Sequence, residues 1–313
     1  MWKYKFVFKI NFLTMRKLFF GLGLISILAS CSGNKPDAEA FEAQADSVVV
    51  SEPPVSEEVI SSVIQQIPSP LEISVLIKES GSTYDKSLLN GATNKSKYNS
   101  NFQKALNLGI YGTDLGYTNI YEQNQDGLEY MDAIKELADG LSIGQFFDIE
   151  TIGRLATNSK NLDSLLLITT QNFNEINSHL QSQNRANLSV LLLTGGWLEA
   201  MHITTQIAEK NPDNSALKET IGEQKIILDN IVILLSFYET TDPRIADLHK
   251  QFVNLQSVYE AVEITSTYQE ASYEIVDGVM VIKDNSTSEI SIAPETETAI
   301  RSRIEDIRTG VIN

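Results

Sequence analysis

Apolar residues recur every three or four positions between residues 68 and 264, and this helical spacing limits the fold more than any other feature. Pro212 and Pro243 stand at predicted helix starts, and Gly140 and Gly144 separate two helices. The spacing predicts helices over residues 71–79, 100–124, 126–139, 148–157, 162–183, 187–210, 214–238 and 243–264. No repeat of fixed length is present, so we expect these helices to form one bundle-like domain.

After residue 264 the spacing changes from helical to alternating. "TYQEASYEIVDGVMVIKD" has β-branched and aromatic residues on both sides of Asp277-Gly278, a pair typical of a two-residue hairpin turn. We expect a short third strand in "SEISI". A final amphipathic helix is predicted from Pro294 to Gly310, with this apolar stripe: Ile300, Ile304, Ile307 and Val311. The predicted fold class is mainly α, with a multi-helix bundle-like domain over residues 68–265 and a β-hairpin plus terminal helix over residues 266–313.

The N-terminus has the features of a secretory signal peptide. Arg16 and Lys17 precede the apolar run "LFFGLGLISIL" at residues 18–28, which is too short to span a bilayer. Because the signal is complete from Met15 onward, we expect translation to start there. The sequence "LASC" at residues 28–31 resembles the lipobox of bacterial lipoproteins. The resemblance implies a type II signal peptide over residues 1–30 and lipidation of Cys31. The alternative is an ordinary signal peptide with a chance cysteine.

Cys31 is the only cysteine of the chain, so no disulfide, thiolate metal site or thiol nucleophile is expected. Stable attachment to a bilayer needs two or more acyl chains, which a multiply acylated Cys31 supplies. By resemblance to lipoproteins of bacteria with two membranes, Ser32 in place of aspartate favours the outer membrane. We therefore expect an envelope location, with the membrane and an envelope protein as partners.

Acidic residues dominate the mature chain and exclude most anionic partners. The net charge is −17, and removing the five positive charges of residues 1–30 leaves −22. Binding of nucleic acid needs a basic stripe, which the sequence lacks, so no nucleic-acid partner is expected. Residues 31–67 are rich in acid, serine and proline, which predicts a disordered acidic tether with a helical turn or two in "EEVISSVIQQI".

Glycines interrupt the predicted helix at residues 100–124, although each interior glycine costs a helix about 1 kcal/mol relative to alanine. Gly109, Gly112 and Gly116 share one helix face. The opposite face carries polar residues: Asn107, Tyr111, Asp114, Thr118 and Glu122. The pattern predicts a solvent-facing polar side and a buried glycine side for close helix packing. A ligand groove and a helix broken at glycine are the alternatives.

A second helix, in "SVLLLTGGWLEAMHITTQIAEK", is apolar on nearly every side, which predicts a central position. Glu199, His202 and Gln206 share one strip of it with Gly195. Buried polar groups need partners. One interpretation is that the strip is a polar patch facing a pocket, which makes these three polar residues candidate ligand-binding residues. Another is that it is a hydrogen-bond network that holds the bundle in register. A strip that is simply exposed is the third alternative.

The sequence contains no complete motif for catalysis or metal binding. Glu199 and His202 form Glu-x-x-His, one element of di-iron bundles, but the second such pair and the additional glutamates are missing. Ser215 and Lys218 match Ser-x-x-Lys, but the Lys-Thr-Gly element that penicillin-binding proteins carry on a strand is absent. We therefore predict no catalytic residue, no metal and no cofactor.

Several stretches resemble a family of helical bacterial lipoproteins to which no activity is assigned: "SPLEISVLIKESGSTYDKSLLN", "NFQKALNLGIYGTDLGY", "GGWLEAMHITTQ" and "IGEQKIILDNIVILLS". The resemblance extends over residues 68–240 and implies one domain without known site residues. Together these features predict a lipid-anchored envelope lipoprotein that is a non-enzymatic binding or scaffold module. The alternative is an enzyme or small-ligand-binding protein with a polar pocket around Glu199 and His202.

Overall fold

A computed structural model describes residues 56–67, 70–147, 162–276, 279–283, 285 and 287–313. The α-helices within these residues are α1 (Glu57–Ile64), α2 (Pro70–Glu79), α3 (Asn101–Ile120), α4 (Asn124–Gly140), α5 (Leu162–Ser182), α6 (Ala186–Lys210), α7 (Ser215–Ser236), α8 (Pro243–Tyr259) and α9 (Pro294–Ile312). The strands are β1 (Glu263–Thr267), β2 (Ser272–Val276), β3 (Val279–Lys283) and β4 (Thr287–Ser291). Residues 80–100, here called the α2–α3 linker, contain two short 3₁₀ turns.

The mainly α fold class predicted from the sequence is confirmed. Most predicted helix ends lie within a few residues of the observed ones, and the predicted helix at 148–157 lies outside the described residues. The prediction for residues 243–264 is wrong at its end, because α8 stops at Tyr259 and residues 263–267 form β1. The β-branched residues of "EITST" favour extended backbone, and β4 pairs with them. No described helix is long and apolar enough to cross a membrane.

The end of the predicted tether belongs to the fold. α1 begins at Glu57, and Ile60, Ile64 and Ile67 are buried. Because these isoleucines are spaced at i, i+4 and i+7, they form one apolar stripe, and α1 packs on α7. The helical turns predicted in "EEVISSVIQQI" are therefore confirmed, but the prediction of a disordered tether is wrong for residues 57–67. Residues 31–55 lie outside the described part of the chain.

The strands form two antiparallel pairs. β2 pairs with β3, and Val276 stands opposite Val279, as a two-residue turn requires. The predicted turn at 277–278 itself lies outside the described residues. The predicted third strand is present as β4, but it pairs with β1 rather than with the hairpin. Ile290 of β4 packs against Gly222 of α7, which attaches the β1–β4 pair to that helix.

At the centre of the fold, α3 and α6 cross so closely that their backbones touch. A Cβ atom added to Gly109 would overlap the carbonyl oxygen of Leu192 and lie 2.7 Å from the amide nitrogen of Gly196. One added to Gly195 would in return overlap the backbone of α3. Thr113 also bridges the crossing, because its hydroxyl donates to the carbonyl oxygen of Gly196 at 3.0 Å. The predicted close helix packing is confirmed at Gly109.

The rest of that prediction needs correction. Gly112 is exposed, and a Cβ added to it would meet open space, although Gly116 is buried. Of the polar face predicted to meet solvent, Glu122 is exposed, but the other four residues have no exposed surface: Asn107, Tyr111, Asp114 and Thr118. The reason is that α3 has neighbours on several sides, since α2, α4, α6 and α9 all pack on it. Its polar groups therefore have to find partners inside the protein.

α9 packs on α6, α8 and α3 and completes the core. Pro294 stands in its first turn, and the predicted stripe of Ile300, Ile304 and Ile307 is buried. The predicted end at Gly310 is wrong, because the helix continues to Ile312. The same buried side of α9 carries the arginine described next.

Candidate functional site

Glu199 of α6 and Arg308 of α9 form a buried ion pair. α6 is central because it is apolar on nearly every side, and the Glu199 side chain has no exposed surface. Nε of Arg308 donates to Oε2 of Glu199 at 2.6 Å, and Nη2 donates to Oε1 at 2.7 Å. Burial by itself would lower the pKa of Arg308, but the charge and hydrogen bonds of Glu199 raise it above its ordinary value. Both carboxylate oxygens of Glu199 thus accept a hydrogen bond from a permanently charged guanidinium group.

His202 lies one turn further along α6 and joins it to α9 and to the α2–α3 linker. Nε2 donates to the carbonyl oxygen of Leu88 at 3.1 Å, in the tautomer that places the hydrogen on that atom. Nη2 of Arg308 donates to the same oxygen at 3.0 Å. Nδ1 of His202 lies 2.8 Å from Oε2 of Glu305, without the alignment of a hydrogen bond. Burial, and then the charge of Arg308, lowers the pKa of His202 and favours the neutral ring at pH 7.

Asp114 of α3 is a second fully buried carboxyl group beside Glu199. Its Oδ2 accepts a hydrogen bond from the backbone N–H of Asn90 at 3.3 Å. No described N–H or O–H donates to its buried Oδ1. Burial, and then the negative charge of Glu199, raises the pKa of Asp114 well above its ordinary value. When it is protonated, Asp114 is neutral and has a hydrogen to donate to Glu199.

Further hydrogen bonds hold the C-terminal turn of α9. The hydroxyl of Tyr98 donates to the carbonyl oxygen of Ile312 at 3.3 Å, and Nδ2 of Asn107 donates to that of Val311 at 3.2 Å. Asn90 links the two donors, because its Nδ2 donates to the Tyr98 hydroxyl at 3.0 Å and to Oδ1 of Asn107 at 3.3 Å. Carbonyl groups that a helix end leaves without intrahelical partners are thus satisfied by α3 and the linker.

We call the five titratable residues Asp114, Glu199, His202, Glu305 and Arg308 the carboxyl–arginine cluster. Two of the three predicted candidates, Glu199 and His202, belong to it. Gln206 is partly buried, and within the described residues it forms no hydrogen bond with either of them. The arrangement matches the interpretation of the strip as a network that holds helices in register. Asp114, Glu199, His202 and Arg308 are buried, whereas the Glu305 side chain is 44% exposed.

The sequence interpretation missed Asp114, Glu305 and Arg308. Asp114 was assigned to a solvent face, because the number of helices that pack on α3 cannot be read from its own periodicity. The sequence does contain a signal that Arg308 is buried. It follows Ile300 by eight residues and Ile304 by four, so it lies within the predicted apolar stripe. A charged residue in such a stripe needs a buried partner of opposite charge.

The side chains of the cluster are not arranged as a metal site. Within the described residues, no group of three or more histidine, cysteine, aspartate or glutamate side chains is arranged to hold a metal ion. Arg308 contributes the positive charge that a metal would otherwise contribute beside Glu199. These residues therefore do not provide a ligand set for a metal.

A separate cleft of about 440 Å³ opens between α3, α8 and the end of α9. It combines buried apolar residues, Leu106, Leu248 and Ile307, with polar residues that include Gln103 and Gln251. Its volume lies in the range of about 300–1,000 Å³ that is typical of small-ligand sites. The cleft is open, whereas Glu199, His202 and Arg308 of the cluster are buried.

No protein-family model matches the chain, and no curated protein or solved structure matches it either. The function therefore has to be argued from the sequence features and the site geometry.

Proposed function

We propose that this chain is a lipid-anchored envelope lipoprotein whose helical body is a non-enzymatic binding or scaffold module. The anchor is proposed from the sequence, where "LASC" stands at the end of the predicted signal peptide and Cys31 is the only cysteine. Ser32 favours the outer membrane by resemblance to sorted lipoproteins. Cys31 lies outside the described residues, so the proposal of an anchor rests on the sequence alone.

The observation that carries the non-enzymatic proposal is the burial of Glu199, His202 and Arg308 within the carboxyl–arginine cluster. A general acid or base has to reach the substrate within hydrogen-bond distance. Glu199 has no exposed surface, and both its oxygens are held by Arg308. These contacts support a role in attaching α9. The alternative, an enzyme or ligand site around Glu199 and His202, requires α9 to leave.

Lipid attachment is tested by replacing Cys31 with alanine. We expect the wild-type protein to incorporate labelled fatty acid and to sediment with membranes, because the acyl chains are its proposed anchor. The Cys31→Ala variant should incorporate none and leave the membrane fraction. Ser32→Ala is the matched control and should remain acylated. Absence of label from the wild type would remove the anchor proposal.

The binding role is tested by photocrosslinking in intact cells. A photoreactive residue replaces Gln251 in the cleft or, as the control, Glu129 on the exposed side of α4. We expect a discrete adduct from position 251 and none from position 129, because the cleft is the open concave surface. If both positions give the same adducts or neither gives one, binding at the cleft is contradicted.

A further inference from the structure

The surroundings of Asp114 favour the protonated form of its carboxyl group. An ionised carboxylate that is fully buried with one oxygen unpaired is strongly disfavoured, because burial removes its hydration and nothing replaces it. Asp114 has no exposed surface, and no described group donates to its Oδ1. The neighbouring carboxylate, Glu199, accepts both of the hydrogen bonds that Arg308 directs at it. A protonated Asp114 removes the second negative charge from this site.

Charged and titratable groups surround Asp114 on several elements: Glu199 and His202 of α6, Arg308 and Glu305 of α9, Tyr84 of the α2–α3 linker, Tyr111 of α3 and Tyr130 of α4. Burial raises the pKa of all three phenols, so they stay neutral between pH 4 and pH 8. Arg308 stays charged over the same range. His202 loses its charge more readily than an exposed histidine.

The environment of Asp114 depends on α9. Undocking of α9 withdraws Arg308 and frees the carbonyl oxygen of Leu88. It also breaks the hydrogen bonds from Tyr98 and Asn107 to the end of α9, which loosens the linker that holds Asn90 against Asp114. Withdrawal of Arg308 alone would raise the pKa of Asp114, because its positive charge lowers that pKa in the docked state. Water that reaches the carboxyl group removes the larger effect of burial, so the pKa falls towards the ordinary value of 3.8.

We propose that docking of α9 onto α3 and α6 takes up a proton at Asp114, so that α9 is a latch that loosens as this proton is lost. The sign follows from linkage. A carboxyl group whose pKa is raised in the docked state stabilises docking fully below pH 3.8, and this contribution is lost as the pH rises through the docked pKa. Opening would expose the apolar stripe of Ile300, Ile304 and Ile307 to a partner.

Native-state hydrogen exchange on the full mature protein tests the latch. Opening constants for the amides of α9, corrected for intrinsic exchange rates, are measured from pH 4.5 to pH 8 in the wild type and in Asp114→Asn. While Asp114 is protonated it is as neutral as asparagine, so the surrounding groups titrate alike in both proteins and the ratio of the two opening constants reports the proton of Asp114. We expect this ratio to rise by about tenfold per pH unit until Asp114 ionises in the docked state. Asp306→Asn, on the exposed side of α9, is the control and should give a flat ratio.

The location of the effect is part of the test. The rise should appear in α9 and the linker, while α7 and α8 keep a constant ratio. A flat ratio in α9 would overturn the proposal, because docking would then take up no proton at Asp114. An equal rise in every helix would also overturn it, because the titration would report global unfolding and not a latch.

A second measurement does not need the variant to fold. Titration of the wild type labelled with ¹³C at aspartate carboxyl groups should show one resonance that titrates far above the others. If every aspartate of the folded protein titrates near its ordinary value, the proposal fails.

Discussion

Replacing Arg308 with methionine is expected to lower the free energy of unfolding by about 3–5 kcal/mol, the range measured when one partner of a buried ion pair is removed. The Glu199 carboxylate would remain in the core without the two hydrogen bonds that Arg308 donates to it. Methionine occupies a similar volume, so the loss reports mainly the stranded charge and not a cavity. Urea unfolding followed by circular dichroism measures the change.

Two controls separate the buried charge from the loss of an arginine in general. Arg301→Met removes a pair on the same helix, with Glu209, whose side chain is half exposed, and should cost at most about 1 kcal/mol. Adding Glu199→Leu to Arg308→Met removes the stranded carboxylate and should restore most of the lost stability. If Arg308→Met alone costs no more than Arg301→Met, the ion pair does not hold α9.

Replacing Gly109 with alanine is expected to lower the free energy of unfolding by about 3 kcal/mol, near the upper end of ordinary overpacking effects. The new methyl group would overlap the carbonyl oxygen of Leu192 and lie 2.7 Å from the amide nitrogen of Gly196. Both are backbone atoms of α6, so no side chain can rotate away. The helices have to separate at the centre of the core, and the same unfolding experiment measures the loss.

Gly112→Ala is the matched control, because it is the same substitution three residues further along α3. Gly112 is exposed, and its added methyl group would meet open space. The higher helix propensity of alanine should therefore raise the free energy of unfolding by up to about 1 kcal/mol. Opposite signs for the two variants are the expected result. Changes of the same sign and size would contradict the backbone contact at Gly109.

The glycine face shows how far sequence reasoning reaches. Periodicity placed Gly109, Gly112 and Gly116 on one side of α3, and close packing does occur at Gly109. Periodicity could not say that Gly112 lies at a gap between neighbouring helices, because that depends on where the other helices cross. The assignment of Asn107 and Asp114 to solvent failed for the same reason, since a polar face and a buried network have the same one-dimensional pattern.

Local physics in the sequence determined the helices, the β-hairpin, the buried position of "SVLLLTGGWLEAMHITTQIAEK" and the apolar stripe of the last helix. Each of these follows from propensity and from the period at which apolar side chains recur, which act over a few residues. The contacts between distant segments do not follow from such local patterns. Only the tertiary structure decided that β4 pairs with β1, that Arg308 meets Glu199 across 109 residues, and that Asp114 is buried beside Glu199. Such contacts depend on burial and on charge compensation between distant segments. A buried charge meets its partner only when the helices that carry the two residues pack together.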